Sequence, residues 1–257
     1  MIGVFDSGVG GLTVLAEIRR ELPNADLVYV ADQARAPYGT RSLDEVAAMA
    51  DEISGWLIGR GASTITIACN TASAAALHRL RASHRGIAFV GMEPAVKPAA
   101  LTTASGVIGV LATAATFQGE LFASVVQRHA EGMRVVTGAC PDWVALVERG
   151  VVDGPETRDQ VRTCLEPLLA AGADTLVLGC THFPFLTPVI REIAGPRVQI
   201  VDPAPAVARQ VKRVARETGG SGHLELCTSG DPIRFEWLAR ELAGIQAEQA
   251  VLALRLE

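Results

Sequence analysis

Two cysteines in this chain sit in the same local setting. The segment Gly61-Ala62-Ser63-Thr64-Ile65-Thr66-Ile67-Ala68-Cys69-Asn70-Thr71 aligns with Gly172-Ala173-Asp174-Thr175-Leu176-Val177-Leu178-Gly179-Cys180-Thr181-His182, which places Cys69 and Cys180 111 residues apart. Each ends an apolar, β-branched run and precedes helix-period sequence. A cysteine there meets the amides and positive dipole end of the following helix, which favour its thiolate. A thiol with a pKa of about 8.5 is a few per cent ionised at neutral pH. Two such thiols can therefore be poised as one base and one acid, able to take a proton from one face of a carbon and deliver one to the other. Cys140, Cys164 and Cys227 lack such a setting and read as small apolar core residues.

Other polar residues cluster around the same strand ends. Asn70, Thr71, Thr181 and His182 add side-chain donors and acceptors suited to a small polar ligand, or to helix capping. Asp6-Ser7-Gly8-Val9-Gly10-Gly11 follows the first β-branched run and opens a helix, so its amides could receive an anion. It is neither a Gly-x-Gly-x-x-Gly fingerprint nor a Walker loop, which leaves a substrate carboxylate as the expected anion and Asp6 as an acid or an N-cap. In Pro37-Tyr38-Gly39, a loop after the second strand, the Tyr hydroxyl or turn amides could reach a ligand, or the segment is a plain turn. Of the five histidines, only His182 stands beside a candidate cysteine. The lysines, Lys97 and Lys212, stand in no recognisable Schiff-base context, so pyridoxal phosphate is not expected. No His-x-x-x-His, carboxylate cluster or cysteine pair has metal-ligand spacing, so no metal or other cofactor is expected.

The elements that must position these residues alternate. Strand-like runs occur at Ile2–Asp6, Asp26–Ala31, Thr64–Ala68, Ile87–Gly91, Val107–Leu111, Arg134–Gly138, Thr175–Gly179, Val198–Asp202 and Leu224–Thr228. Helix-period stretches such as Leu12–Leu22, Leu43–Ile58, Ala72–Ser83, Thr116–His129, Glu156–Ala171 and Pro205–Glu217 fall between them. That alternation predicts an α/β fold with mainly parallel sheets and a site at the carboxyl ends of strands. Two further matches keep nearly the same offset: Ile2-Gly3-Val4 with Ile108-Gly109-Val110, and Glu93-Pro94-Ala95 with Asp202-Pro203-Ala204. The chain thus reads as two pseudo-symmetric three-layer α/β domains. The first is expected over 1–97 with 207–257 returning to it, the second over 98–206, and the active site lies in the cleft between them.

Composition is consistent with this. The 257 residues are 49% hydrophobic and 20% charged, enough for a sizeable core. A net charge of -5 without a basic stripe argues against nucleic acid. No apolar run approaches the roughly 20 residues that span a bilayer, and the chain opens at Ile2-Gly3-Val4-Phe5 without a charged signal region. A cytoplasmic protein without membrane association is expected. The five cysteines, odd in number, widely spaced and without Cys-x-x-Cys, are expected to be reduced.

The motifs Phe5-Asp6-Ser7-Gly8-Val9-Gly10-Gly11-Leu12, Pro37-Tyr38-Gly39, Ala68-Cys69-Asn70-Thr71-Ala72-Ser73 and Gly179-Cys180-Thr181-His182-Phe183-Pro184 resemble the aspartate/glutamate racemase family, on its glutamate-specific side. Ala139-Cys140-Pro141 running on to Val147-Glu148, and Thr228-Ser229-Gly230-Asp231-Pro232, agree with it, so the likeness covers nearly the whole chain. The resemblance implies cofactor-independent interconversion of L- and D-glutamate, supply of D-glutamate for peptidoglycan, and a homodimer. It also implies roles: Cys69 and Cys180 as the two acid/bases, Asp6 supporting Cys69, and His182 with Glu148 supporting Cys180. Asp6, Ser7, Tyr38, Gly39, Asn70, Thr71, Thr181 and His182 would bind substrate. The alternatives are another amino-acid racemase, a nucleophilic-cysteine transferase with one structural cysteine, or an idle amino-acid-binding regulator.

Overall fold

A computed structural model describes residues 1–118, 120–216 and 219–256. The chain begins β1 (Ile2–Asp6), α1 (Leu12–Glu21), β2 (Leu27–Ala31), α2 (Leu43–Gly59), β3 (Thr64–Ile67), α3 (Asn70–Ser83) and β4 (Ala88–Val90). It continues with α4 (Val96–Thr102), β5 (Val107–Ala112), α5 (Ala114–Gln118), α6 (Glu120–His129), β6 (Arg134–Ala139), α7 (Pro141–Glu148), α8 (Pro155–Ala170), β7 (Thr175–Gly179), α9 (Thr187–Ala194) and β8 (Gln199–Val201). It ends with α10 (Ala204–Val214), β9 (Leu224–Thr228), α11 (Pro232–Ala243) and β10 (Leu252–Ala253).

Two parallel sheets form, with strand orders β10-β9-β2-β1-β3-β4 and β6-β5-β7-β8. The order β2-β1-β3-β4 in the first is the order β6-β5-β7-β8 in the second, so the three sequence matches pair β1 with β5, β3 with β7, and the turns after β4 and β8. The repeated α/β topology with parallel sheets expected from the sequence is present. Strands β1, β2, β3 and β7 are buried along their whole length, which is why they read as unbroken apolar runs rather than alternating ones.

The tail after β8 packs against the first sheet. Helix α10 lies on α1 and buries Ala204, Val207, Ala208 and Val211, one stripe of a 3.6-residue period. Strands β9 and β10 extend the first sheet beyond β2. One apolar cluster takes in Leu12, Leu15 and Ala208 together with Trp143, Leu165 and Phe183, so the two sheets share a core.

Of the helix expected over Thr116–His129, the described residues form α5 before Gly119 and α6 after it; Gly119 itself lies outside the described residues, as does Glu217 at the end of Pro205–Glu217. Other expectations need correction. Helices α4, α7 and α9 have seven or eight residues, too few turns for an apolar period to stand out. The cysteines are not all reduced: Cys140 and Cys164 form a disulfide, their Cα atoms 6.0 Å apart, while Cys69, Cys180 and Cys227 are free. Cys140 stands at the start of α7 and Cys164 within α8, and these helices pack together. Spacing along the chain carries no signal for a bridge made by helix packing. No helix among the described residues is long and apolar enough to cross a membrane.

Candidate active site

The carboxyl ends of β3 and β7 open on one cavity of about 130 Å³. Cys69 and Cys180 both line it, with Ser7, Tyr38, Gly39, Asn70, Thr71, Thr181 and His182. Both cysteines are buried, at 5% and 6% exposure, so water has little access to either thiol. Pro141 and Val144 of α7 and Thr113 after β5 complete the wall.

The two thiols have different partners. His182 Nδ1 lies 3.8 Å from Cys180 Sγ, and His182 Nε2 lies 2.6 Å from Glu148 Oε1. Burial alone would pull the His182 pKa down, but its bonds to Cys180 and Glu148 outweigh that and hold it well above the ordinary imidazole value. Burial would likewise push Glu148 up, but His182, Gln33 and the Val9 amide hold its carboxyl below the ordinary value. The pair is therefore an imidazolium and a carboxylate, and both ring nitrogens donate, one of them toward Cys180. Helix α7, which carries Glu148, is anchored by fully buried Trp143, whose ring meets Phe183 edge-on at 4.7 Å and contributes about 0.5–1.5 kcal/mol beyond burial.

Cys69 caps α3: its Sγ accepts from the Ala72 amide at 3.4 Å. Burial and the neighbouring Asp6 carboxyl nevertheless push its pKa well above the ordinary thiol value. Asp6 is itself raised by complete burial, against the His182 charge and the Gly11 and Gly8 amides. One thiol thus faces a cation while the other stays protonated beside a buried carboxyl. Asn70 is 3% exposed, and its Oδ1 and Nδ2 both lack a partner among the described residues. Orphaned amide atoms on a cavity wall are ready for a polar ligand.

A sequence profile described as Asp/Glu/Hydantoin racemase matches residues 2–211. The chain belongs to that racemase family. It is 52% identical over 262 residues to the glutamate racemase of Roseiflexus sp. (strain RS-1), a match covering 98% of this chain and 96% of the relative. Among solved structures it superposes on the glutamate racemase isoform RacE1 of Bacillus anthracis with a TM-score of 0.90 at 33% identity, covering 100% of this chain and 97% of that one. The glutamate racemase of Francisella tularensis subsp. tularensis SCHU S4, solved in complex with D-glutamate, gives a TM-score of 0.85 at 27% identity, covering 99% and 97%.

Within this racemase fold the expected residues gather in one place, but some of their polar groups are differently engaged. The loop after β1 does receive anions, and they are the protein's own: the Gly8 and Gly11 amides donate to Asp6 Oδ2 at 3.1 and 3.0 Å, and the Val9 amide donates to Glu148 Oε1 at 2.8 Å. The Tyr38 hydroxyl donates to buried Asp32, which also accepts from Arg35 Nε at 2.7 Å; Tyr38 therefore offers the cavity its ring and backbone. Two contributors went unread in the sequence. Thr113 joins Thr71 at 3.0 Å and Thr116 at 2.9 Å in a buried hydroxyl cluster, and Gln33 donates to Glu148 Oε2 at 3.0 Å. Thr113 follows β5, the strand equivalent to β1, so the repeat itself could have located it.

Proposed function

We propose that this chain interconverts L- and D-glutamate by proton transfer at the α-carbon, with Cys69 and Cys180 as the two acid/bases and no cofactor. The observation that carries this is the pair of buried thiols at equivalent strand ends of two like-ordered sheets, lining one cavity. A base on one face and an acid on the other invert a carbon directly, and a pseudo-dyad supplies both from one motif. The relatives, named glutamate racemases, supply the substrate.

In one direction Cys69 acts as the acid and Cys180, with His182 Nδ1 3.8 Å from its Sγ, acts as the base. A substrate whose α-hydrogen faces Cys180 loses it there and gains one from Cys69. The enantiomer follows the reverse course. Acid/base catalysis supplies ~10²–10⁴-fold, too little for so weak a carbon acid. The rest falls to electrostatic stabilisation of the carboxylate as charge moves onto it. Asn70, Thr71 and Thr181 are the donors we assign, with Ser7, Tyr38, Gly39 and His182 completing the substrate contacts, and Asp6 supporting Cys69 as Glu148 supports His182. We further assign residues 1–97 with 207–257 to one domain and 98–206 to the other, and read the protein as a cytoplasmic homodimer whose D-glutamate serves peptidoglycan synthesis.

The test is polarimetry with L- and D-glutamate supplied separately and no cofactor added. Each rotation decays to zero with the native chain, and neither decays with Cys69→Ala or Cys180→Ala. Full racemisation by either alanine variant contradicts the two-thiol assignment.

A further inference from the structure

We propose that Gln33 is a positioning residue for Cys180, holding from the first half of the molecule the Glu148 carboxylate that orients His182 against that cysteine. The proposal rests on the racemase reading above. Glu148 ends α7, where the negative end of the helix dipole opposes a carboxylate, so donors must hold it there. Oε1 receives two, from His182 Nε2 at 2.6 Å and the Val9 amide at 2.8 Å. Oε2 receives Gln33 Nε2 at 3.0 Å.

The orientation of Gln33 is itself determined. Its Oε1 accepts from Thr228 Oγ1 at 3.0 Å, and Thr228 Oγ1 accepts from the Gly230 amide at 3.0 Å. Flipping the Gln33 amide would turn its carbonyl toward a carboxylate, so Nε2 must face Glu148. Gly230 leaves room for this side chain, since a Cβ there would stand 2.9 Å from Gln33 Cβ. A polar chain therefore runs from the end of β9 through Thr228, Gln33, Glu148 and His182 to Cys180 Sγ. Without Gln33 the carboxylate is free to rotate, and the 2.6 Å bond that fixes the imidazole loosens.

The other charged groups around Glu148 are His182 after β7, Asp6 at the end of β1, Asp231 after β9, and Arg149 and Arg234, the last donating to the Glu148 carbonyl at 3.2 Å. Loss of the Gln33 donor raises the Glu148 pKa, so the acid limb of activity moves to higher pH.

The experiment is Gln33→Leu, similar in size and unable to donate, assayed with protiated and α-deuterated L- and D-glutamate. An equilibrium constant of one between enantiomers obliges kcat/KM to fall equally in both directions, by a factor on the order of ten to a hundred for a lost bond to a charged group. The kinetic isotope effect does not share that symmetry. It rises only for the enantiomer deprotonated by Cys180, identified as the one whose isotope effect rises in Cys180→Ser, and the acid limb shifts upward. Should Gln33→Leu fail to fold, Thr228→Val, which removes the hydroxyl that orients Gln33 and accepts from the Gly230 amide, gives the same asymmetry more weakly. Equal isotope effects for both enantiomers with an unmoved pH profile overturn the role of Gln33 while native turnover leaves the racemase reading standing. Absence of native turnover overturns both.

Discussion

At the scale of single residues, the two halves of the site differ where their sequences differ. The repeat places Cys69 and Cys180 alike, but Asn70-Thr71 follows one and Thr181-His182 the other. Only the second carries a cation, so Cys180 lies beside an imidazolium while Cys69 lies beside the buried Asp6 carboxyl that helps raise its pKa. Asn70 answers on the first side with an amide that has no partner among the described residues. Asn70→Ala is expected to lower kcat/KM by ~10²–10³-fold, the cost of losing one donor to developing charge, measured by steady-state polarimetry; an unchanged value would show that its amide faces no substrate atom. The cysteines, Asp6 and His182 were legible in the sequence because each stands at the end of a strand whose apolar run is unmistakable. Gln33 and Asp32 were not, because their partners Glu148 and Ser229 lie more than a hundred residues away and no period links them.

At the scale of elements, the loop between β1 and α1 works as a spacer. A Cβ on Gly8 would stand 1.8 Å from Glu148 Oε1, and one on Gly10 would stand 2.3 Å from His182 Nδ1. The glycines that read as an anion-binding loop are required because the His182–Glu148 pair lies directly against them. The intruding atoms are ends of side chains, which can move without unfolding the protein. Gly10→Ala is therefore expected to keep a native circular-dichroism spectrum and thermal midpoint within a few degrees while losing at least tenfold in turnover. A variant with normal turnover would mean that His182 is not held where catalysis needs it. The α7–α8 packing that carries Glu148 is also tied by Cys140–Cys164. Cys164→Ser should lower stability by about 2–4 kcal/mol under non-reducing conditions and by much less with reductant present, read by urea titration in each buffer.

At the scale of the whole molecule, the repeated strand order and the cleft followed from the α/β alternation and the internal matches, since both are written in local apolar runs. How the halves meet was not legible. Besides the shared apolar core and the Thr71–Thr113 hydroxyl contact, the polar part of that contact includes the Val9 amide and Gln33 on Glu148, and Thr13 Oγ1, 3.4 Å from the Thr181 carbonyl. It gives stability a defined pH dependence. His182, raised above 6.5, stabilises the fold fully below that value and loses its contribution as pH rises through the raised pKa. Glu148, lowered below 4.5, contributes fully above that value and loses its contribution as pH falls through the lowered pKa. The stability gap between the native chain and Glu148→Gln is thus widest between 4.5 and 6.5, and closes as pH falls through the lowered Glu148 pKa or rises through the raised His182 pKa. Thermal melts across pH that run parallel for the two proteins would contradict this ion pair.

The most direct measurement is proton NMR of L- and D-glutamate in D₂O during the first few per cent of conversion, without cofactor. Two thiols on opposite faces require the product to carry solvent deuterium at its α-carbon while the remaining substrate still carries its own hydrogen, and this is expected from both enantiomers. Product that retains the substrate's hydrogen would mean a single base serving both faces, and recovered substrate with no exchange and no product would mean that the paired cysteines do not act on glutamate.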